Sequence, residues 1–260
     1  MEALEPHRVR AGLDLFVVPD FAQKQLGLSD PQVYLSQLER AYPVAGAGDV
    51  IAPNEVQWVT GDHRALRYRG NVLKRGKMWL QRGDPALVGH RRYGYTGWQW
   101  HILPATADVA RCAEVLPIAD KYDEWAAGVG ALKANHYIVT KYKDGEHSIG
   151  FHFDKPADIA KSGADGKSLI VVVKIGACAR PFEVRDLAAK GEKPPAPFFS
   201  KTLAPGTAVI MTLEANLKTQ HAVPAVDGDV GPSGSIVFRS IDKVVAANDV
   251  ARELGKRRRE

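Results

Sequence analysis

The chain has 260 residues, 45% of them hydrophobic and 25% charged, which excludes a disordered or fibrous polypeptide and leaves a globular one. A core of this size forms without covalent staples, so the two cysteines, Cys112 and Cys178, read as buried apolar thiols in a reducing compartment. The formal net charge of +5 draws partly on the closing Lys256-Arg257-Arg258-Arg259, a solvated end or a phosphate contact.

The opening MEALEPHRVRAG has no apolar run of the kind a secretory signal needs. The longest apolar stretches, such as Leu169 to Val173, are too short to span a bilayer. The expectation is an intracellular protein of the nucleus or cytoplasm, a monomer with no membrane partner. An apolar strand is predicted over Leu13 to Val18, then a helix over Pro31 to Ala41, where Val33, Leu35, Leu38 and Ala41 recur about one helical turn apart. From Arg64 to Arg92, basic residues (Arg67, Arg69, Lys74, Arg75, Lys77, Arg82, Arg91, Arg92) alternate with Tyr68, Trp79 and Tyr93. Phosphates attract such charge and unstacked bases attract such rings, so this stretch is a candidate nucleic-acid contact. Residues 105 to 132 carry a second helical region, with Val109, Cys112, Val115 and Leu116 on one side.

From Asn135 the character changes. His136 to Tyr142 is β-branched and aromatic and ends in the turn chemistry of Lys143-Asp144-Gly145. Ser168 to Ile175 is a nearly continuous apolar run between Gly166 and Gly176, as a buried strand would be. Pro181 to Arg185, Thr207 to Thr212 and Ser235 to Ile241 predict further strands, while 193–197 and 227–234 read as loops. Mixed elements ahead of a run of strands predict an α+β protein with an antiparallel sandwich or barrel core.

Ile149-Gly150-Phe151-His152-Phe153-Asp154 places His152 and Asp154 at i and i+2, which on an extended segment share a face. Two such donors joined by a distant histidine form a facial triad, with positions left open on Fe(II) for a bidentate co-substrate and dioxygen. The distant histidine is His221, in Gln220-His221-Ala222-Val223-Pro224, after the turn and apolar strand of Pro205-Gly206-Thr207 to Met211. Downstream, Ser235-Ile236-Val237-Phe238-Arg239 sets one cation among apolar neighbours, where a guanidinium needs a partner and a dicarboxylate offers a planar one.

In these motifs the chain resembles the AlkB family of nucleic-acid dioxygenases, from about Tyr93 to Ile241. Asn135, Thr140-Lys141-Tyr142-Lys143-Asp144-Gly145 and Ile149-Gly150 through Asp154 are similar to the family's Asn…Asn-Arg-Tyr-x-x-Gly…His-x-Asp block. Lys174-Ile175-Gly176 to Arg180-Pro181-Phe182 resembles its Ser-x-Gly…Arg-x-Phe segment with one residue inserted. Tyr93-Gly94-Tyr95-Thr96-Gly97-Trp98 resembles the aromatic stretch of its nucleotide-recognition lid.

The resemblance implies a double-stranded β-helix (jelly-roll) core over 105–241 with packed helices. Around it stand an N-terminal α/β extension over 1–104 that carries the lid, and a basic helix or tail over 242–260. His152, Asp154 and His221 would bind Fe(II); Arg239, Tyr142 and Asn135 would hold 2-oxoglutarate; Tyr95, Trp98 and Arg180 would face the substrate. The implied chemistry is decarboxylation of 2-oxoglutarate to succinate with dioxygen, coupled to oxidation of a methylated base in DNA or RNA. A hydroxylated N-methyl group would fall apart to formaldehyde, whereas a hydroxylated C-methyl group would persist. The chain departs from the pattern in three places. Its closing Arg-x-Asn-x-Thr-x-Arg is matched by Ser233-x-Ser235-x-Val237-x-Arg239, so either Arg239 serves the co-substrate in place of the missing first arginine or it aligns with that arginine across a longer loop. Lys155-Pro156 stands where relatives carry an acidic residue, and a proline side chain cannot hydrogen-bond to a base. Thr140 replaces an asparagine. The alternative is a 2-oxoglutarate-dependent hydroxylase of a protein or small molecule, and a non-catalytic β-barrel would leave three metal-binding groups without a purpose.

Overall fold

The structure, a computed structural model, describes residues 7–44, 55–60, 67–68, 71–72, 74–82, 107–154, 159–189, 191–228 and 230–241. In chain order the first half contributes β1 (His7–Arg10), β2 (Leu13–Val18), α1 (Phe21–Leu26), α2 (Pro31–Ala41), β3 (Val59–Thr60), β4 (Arg67–Tyr68), β5 (Asn71–Val72), β6 (Gly76–Gln81), β7 (Ala107–Asp108) and α3 (Val115–Gly128). The second half contributes β8 (His136–Tyr142), β9 (Ile149–His152), β10 (Leu169–Gly176), β11 (Arg180–Asp186), β12 (Phe199–Leu203), β13 (Ala208–Thr212), α4 (Leu213–Lys218), β14 (Thr219–Val223) and β15 (Ser233–Arg239).

Among the described residues a large sheet runs β1-β2-β13-β10-β15-β8-β6-β3, with β7 parallel to β6, and a four-stranded sheet runs β12-β11-β14-β9. From β8 onward the chain alternates between them: β8 large, β9 small, β10 large, β11 and β12 small, β13 large, β14 small, β15 large. That winding, antiparallel throughout, is a double-stranded β-helix, and the helices make the protein α+β. Strands β1, β2, β3 and β6 are hydrogen-bonded into the large sheet, so these strands of the first 104 residues are continuous with the core, while β4 and β5 pair with each other.

The large sheet separates two apolar cores. On its outer face Val171, Val173 and Ile175 of β10 pack with Tyr137, Val139, Ile236 and Phe238 against Phe21 and Leu26 of α1, Leu35 and Leu38 of α2, and Ile118 and Tyr122 of α3. On its inner face Ile170 and Val172 of β10, with Val209 and Met211, meet Phe182 and Val184 of the small sheet. Burial on both faces explains why β10 reads as a continuous apolar run instead of an alternating one. Helix α2 starts where Asp30 Oδ1 accepts from the Gln32 and Val33 amides (3.0 and 3.3 Å) ahead of Pro31, whose missing N–H costs nothing at a first turn. Its buried side holds Pro31, Tyr34, Leu35 and Leu38, whereas Val33, expected on that side, is exposed. Cys112 is buried, but Cys178 is only half-buried; both are free thiols.

The sequence left β12, β14, α1 and α4 unassigned. Strands β12 and β14 are short and polar in part (Phe-Ser-Lys-Thr-Leu and Thr-Gln-His-Ala-Val), and only pairing across β11 shows them as strands. The predicted turn at Pro205-Gly206 is present, with Gly206 at φ 92°, a conformation that favours glycine. No helix among the described residues is long and apolar enough to cross a membrane. The C-terminal segment 242–260, and the aromatic stretch with Tyr93, Tyr95 and Trp98, lie outside the described residues.

Candidate metal centre and active site

Strands β9 and β14 pair at the edge of the small sheet, and their register sets His152 directly opposite His221. The two imidazoles face each other, with ring centroids 4.4 Å apart. Asp154 follows two residues after His152, and one donor atom from each of the three residues lies within 4.8 Å of the others. Phe182 stacks on His221 from β11, with centroids 5.7 Å apart and planes 17° apart, and so fixes the plane of that ring. His152 Nδ1 lies 3.0 Å from the Gly150 carbonyl, so the tautomer that donates there presents Nε2 as the free lone pair.

Electrostatics favour the ligating form of each group. Burial lowers the proton affinity of both histidines, and proximity to His221 lowers that of His152 further, so both rings stay neutral. For Asp154, burial alone would raise the carboxyl pKa. Arg239, His221 and His152 more than offset that and hold it below the ordinary aspartate value. Arg239 Nη1 lies 3.2 Å from Asp154 Oδ2, and its Nε donates to His136 Nδ1 at 3.1 Å.

Two positioning residues went unread in the sequence. Asn216 of α4, fully buried, accepts from the Asp154 amide (2.9 Å) and donates to its carbonyl (2.8 Å), so one side chain grips the main chain of the carboxylate residue. The helix that carries it starts at Thr212, whose Oγ1 accepts from the Ala215 amide. His136, at the start of β8, is buried against Arg239. Neither has a sequence motif; each is found only through the strand or helix that delivers it.

The structure brings together His152, Asp154, His221 and Arg239, and places Tyr142 farther along β8 on the same inner face. Asn135 lies apart. Its amide donates to the Ile241 carbonyl (2.9 Å) and accepts from the Ile241 amide (2.8 Å), which clamps the chain just beyond β15. Arg180, expected to face the substrate, is fully buried. Its guanidinium donates to the carbonyls of Asp144 (2.7 Å), His147 (2.8 Å) and Pro224 (2.9 Å), stapling the loop that leads into β9. Gly145 in that loop is needed for close approach, since a Cβ there would stand 2.4 Å from the Val226 carbonyl oxygen.

The basic, aromatic stretch also differs from expectation. Arg75, just ahead of β6, and Lys77 and Trp79 within it are buried, and burial together with Arg75 pushes the Lys77 ammonium well below its ordinary value. Lys74 pairs with Glu146 and Arg82 with Asp120. Strand β6 is therefore a wall of the fold and not an open phosphate-binding surface; it buries both faces, which composition alone does not reveal.

No family model matches the chain. A 128-residue stretch, 48% of the chain, is 27% identical to human DNA oxidative demethylase ALKBH2, of which it covers 47%; the bovine and mouse proteins match at the same identity. Over that stretch the sequence is AlkB-like. The chain spans about half the length of the curated relatives it matches. Among solved structures, OsALKBH1 is 14% identical with a TM-score of 0.48, covering 89% of this chain and all of that one. A 2OG-Fe(II) oxygenase family oxidoreductase from Burkholderia pseudomallei is 12% identical with a TM-score of 0.42, covering 90% and 87%. The AlkB-like stretch and the His-Asp-His cluster are independent observations, one from sequence similarity and one from geometry.

Proposed function

We propose that the protein is an Fe(II)- and 2-oxoglutarate-dependent dioxygenase that demethylates or hydroxylates a methylated base in nucleic acid. The observation that carries the reading is the convergence of His152, Asp154 and His221, from two paired strands, at one end of a sheet interior that also holds buried cations. Two neutral imidazoles and one carboxylate suit a divalent iron, and three ligands leave the remaining positions for other groups. When bound, Fe(II) with 2-oxoglutarate and dioxygen would supply the oxidation of an unactivated C–H bond. The chain's own residues do the rest. Asn216 fixes where Asp154 can point, Phe182 fixes the His221 ring, and Gly150 selects the His152 tautomer. Arg239 orients the Asp154 carboxylate and stands where the co-substrate carboxylate nearest the metal would meet a guanidinium.

Similarity to DNA oxidative demethylases supports a nucleic-acid substrate, and Tyr95 and Trp98 remain the residues we assign to stacking a base drawn from the helix. Anaerobic titration of the protein with Fe(II) and 2-oxoglutarate should develop a weak visible charge-transfer band, absent in His152→Ala and Asp154→Ala proteins that remain folded. A folded wild type without that band, and without succinate formation on any substrate, refutes the dioxygenase. Incubation with modified oligonucleotides, read by mass spectrometry of the nucleosides, tests the substrate. No oxidised or demethylated base would transfer the activity to a protein or small molecule.

A further inference from the structure

The inner face of the large sheet is laid out in cross-strand rows. Ile170, Arg239, His136 and Gln81 stand opposite one another at the metal end. Toward the other end come Lys174, Ser235, Thr140 and Lys77, and then Gly176, Ser233 and Tyr142. Lys174 is 2% exposed, and its Nζ has no hydrogen-bond partner among the described residues; the ring of Tyr142 lies 6.0 Å away. Ser233 beside it is fully buried, and its hydroxyl likewise has no partner. An ammonium buried without an acceptor is costly and calls for an anion.

Two other nearby cations are engaged. Arg180, 5.6 Å from the same Tyr142 ring, spends its guanidinium on loop carbonyls. Arg239 is engaged with Asp154 and His136 at the opposite end. Ser235 and Arg239 are four residues apart on β15, roughly 13 Å of strand. A lysine stem and a five-carbon diacid together bridge such a span. Where the resembling pattern has serine and then arginine, this chain has Lys174 and Ser233, which puts a cation on the neighbouring strand.

We propose that Lys174 binds the distal carboxylate of the dicarboxylate co-substrate, with Tyr142 and Ser233 completing the cradle. This assignment rests on the dioxygenase reading. It explains why the chain lacks the first arginine of the closing motif without losing the site, and it confines Arg239 to the metal end.

The test is calorimetric binding to the full chain loaded with Mn(II), without turnover. The probes are 2-oxoglutarate and 2-oxobutanoate, which keeps the oxo-acid but lacks the distal carboxylate. Wild type should prefer 2-oxoglutarate by roughly 10- to 100-fold, the value of one charge-assisted contact. Lys174→Met and Lys174→Gln should lose that preference and leave 2-oxobutanoate binding unchanged, while Lys174→Arg should retain most of it. Melting curves of the unliganded variants confirm that they fold. Equal preference in wild type and Lys174→Met, or no preference in wild type, overturns the role of Lys174 while the dioxygenase stands. Wild type that binds neither oxo-acid overturns both.

Discussion

Asn216 shows how much a single uncharged side chain contributes to this site. Two hydrogen bonds to the Asp154 main chain fix a residue whose carboxylate meets Arg239. Asn216→Ala leaves both main-chain groups of Asp154 unmatched and should cost about 1–3 kcal/mol of stability. Metal affinity should fall roughly 10- to 100-fold, as it does when a ligand's support is removed. Denaturant melts and metal titration of one preparation check both, and unchanged metal affinity would deny Asn216 a positioning role. Lys174 makes the opposite trade. Burial, then the charge of Arg180, pushes its ammonium down to about 8 from an ordinary 10.5. The unfolded chain therefore holds the proton more tightly. The cost to the fold is present in full below pH 8 and is relieved as pH rises from about 8 toward 10.5. Lys174→Met should therefore stabilise the unliganded protein at pH 7, by at most about 3 kcal/mol, with the gain shrinking toward pH 10. A gain that stays constant with pH in thermal melts would place the ammonium in a solvated setting.

At the scale of elements, the site depends on how the loop between β8 and β9 is held. Arg180, at the start of β11, ties Asp144, His147 and Pro224 together through their carbonyls, and His152 follows a few residues later on β9. Arg180→Met removes the donors from three carbonyls and should cost about 3 kcal/mol, in the range seen when one partner of a buried ionic network is deleted. Hydrogen exchange should accelerate in 143–152 before it does in β10 or β15. Uniform acceleration would show that the staple supports the whole sheet. Local patterning made β8, β10 and α2 legible because burial dictates their composition. It failed for β12 and β14, whose polar residues are tolerated because strand identity there comes from partners, and for β6, where Lys77 and Trp79 looked like part of a surface for nucleic acid.

For the molecule as a whole, the large sheet separates a helix-covered apolar core from an interior shared with the small sheet, and the site occupies that interior. The sequence by itself determined the strand-rich second half, the turns at Asp144-Gly145 and Pro205-Gly206, and the pairing of His152 with Asp154 on one face. Those are local properties, decided by the two-residue period of a strand and by which residues tolerate a turn. It also named His221 and Arg239 as partners through their order in a resembling pattern. Only the tertiary structure decided that His221 stands opposite His152, that Arg239 meets Asp154 while Asn135 and Arg180 serve the backbone, and that Lys174 is buried without an acceptor. Register and burial arise from strands distant in sequence, and no window of neighbouring residues contains them.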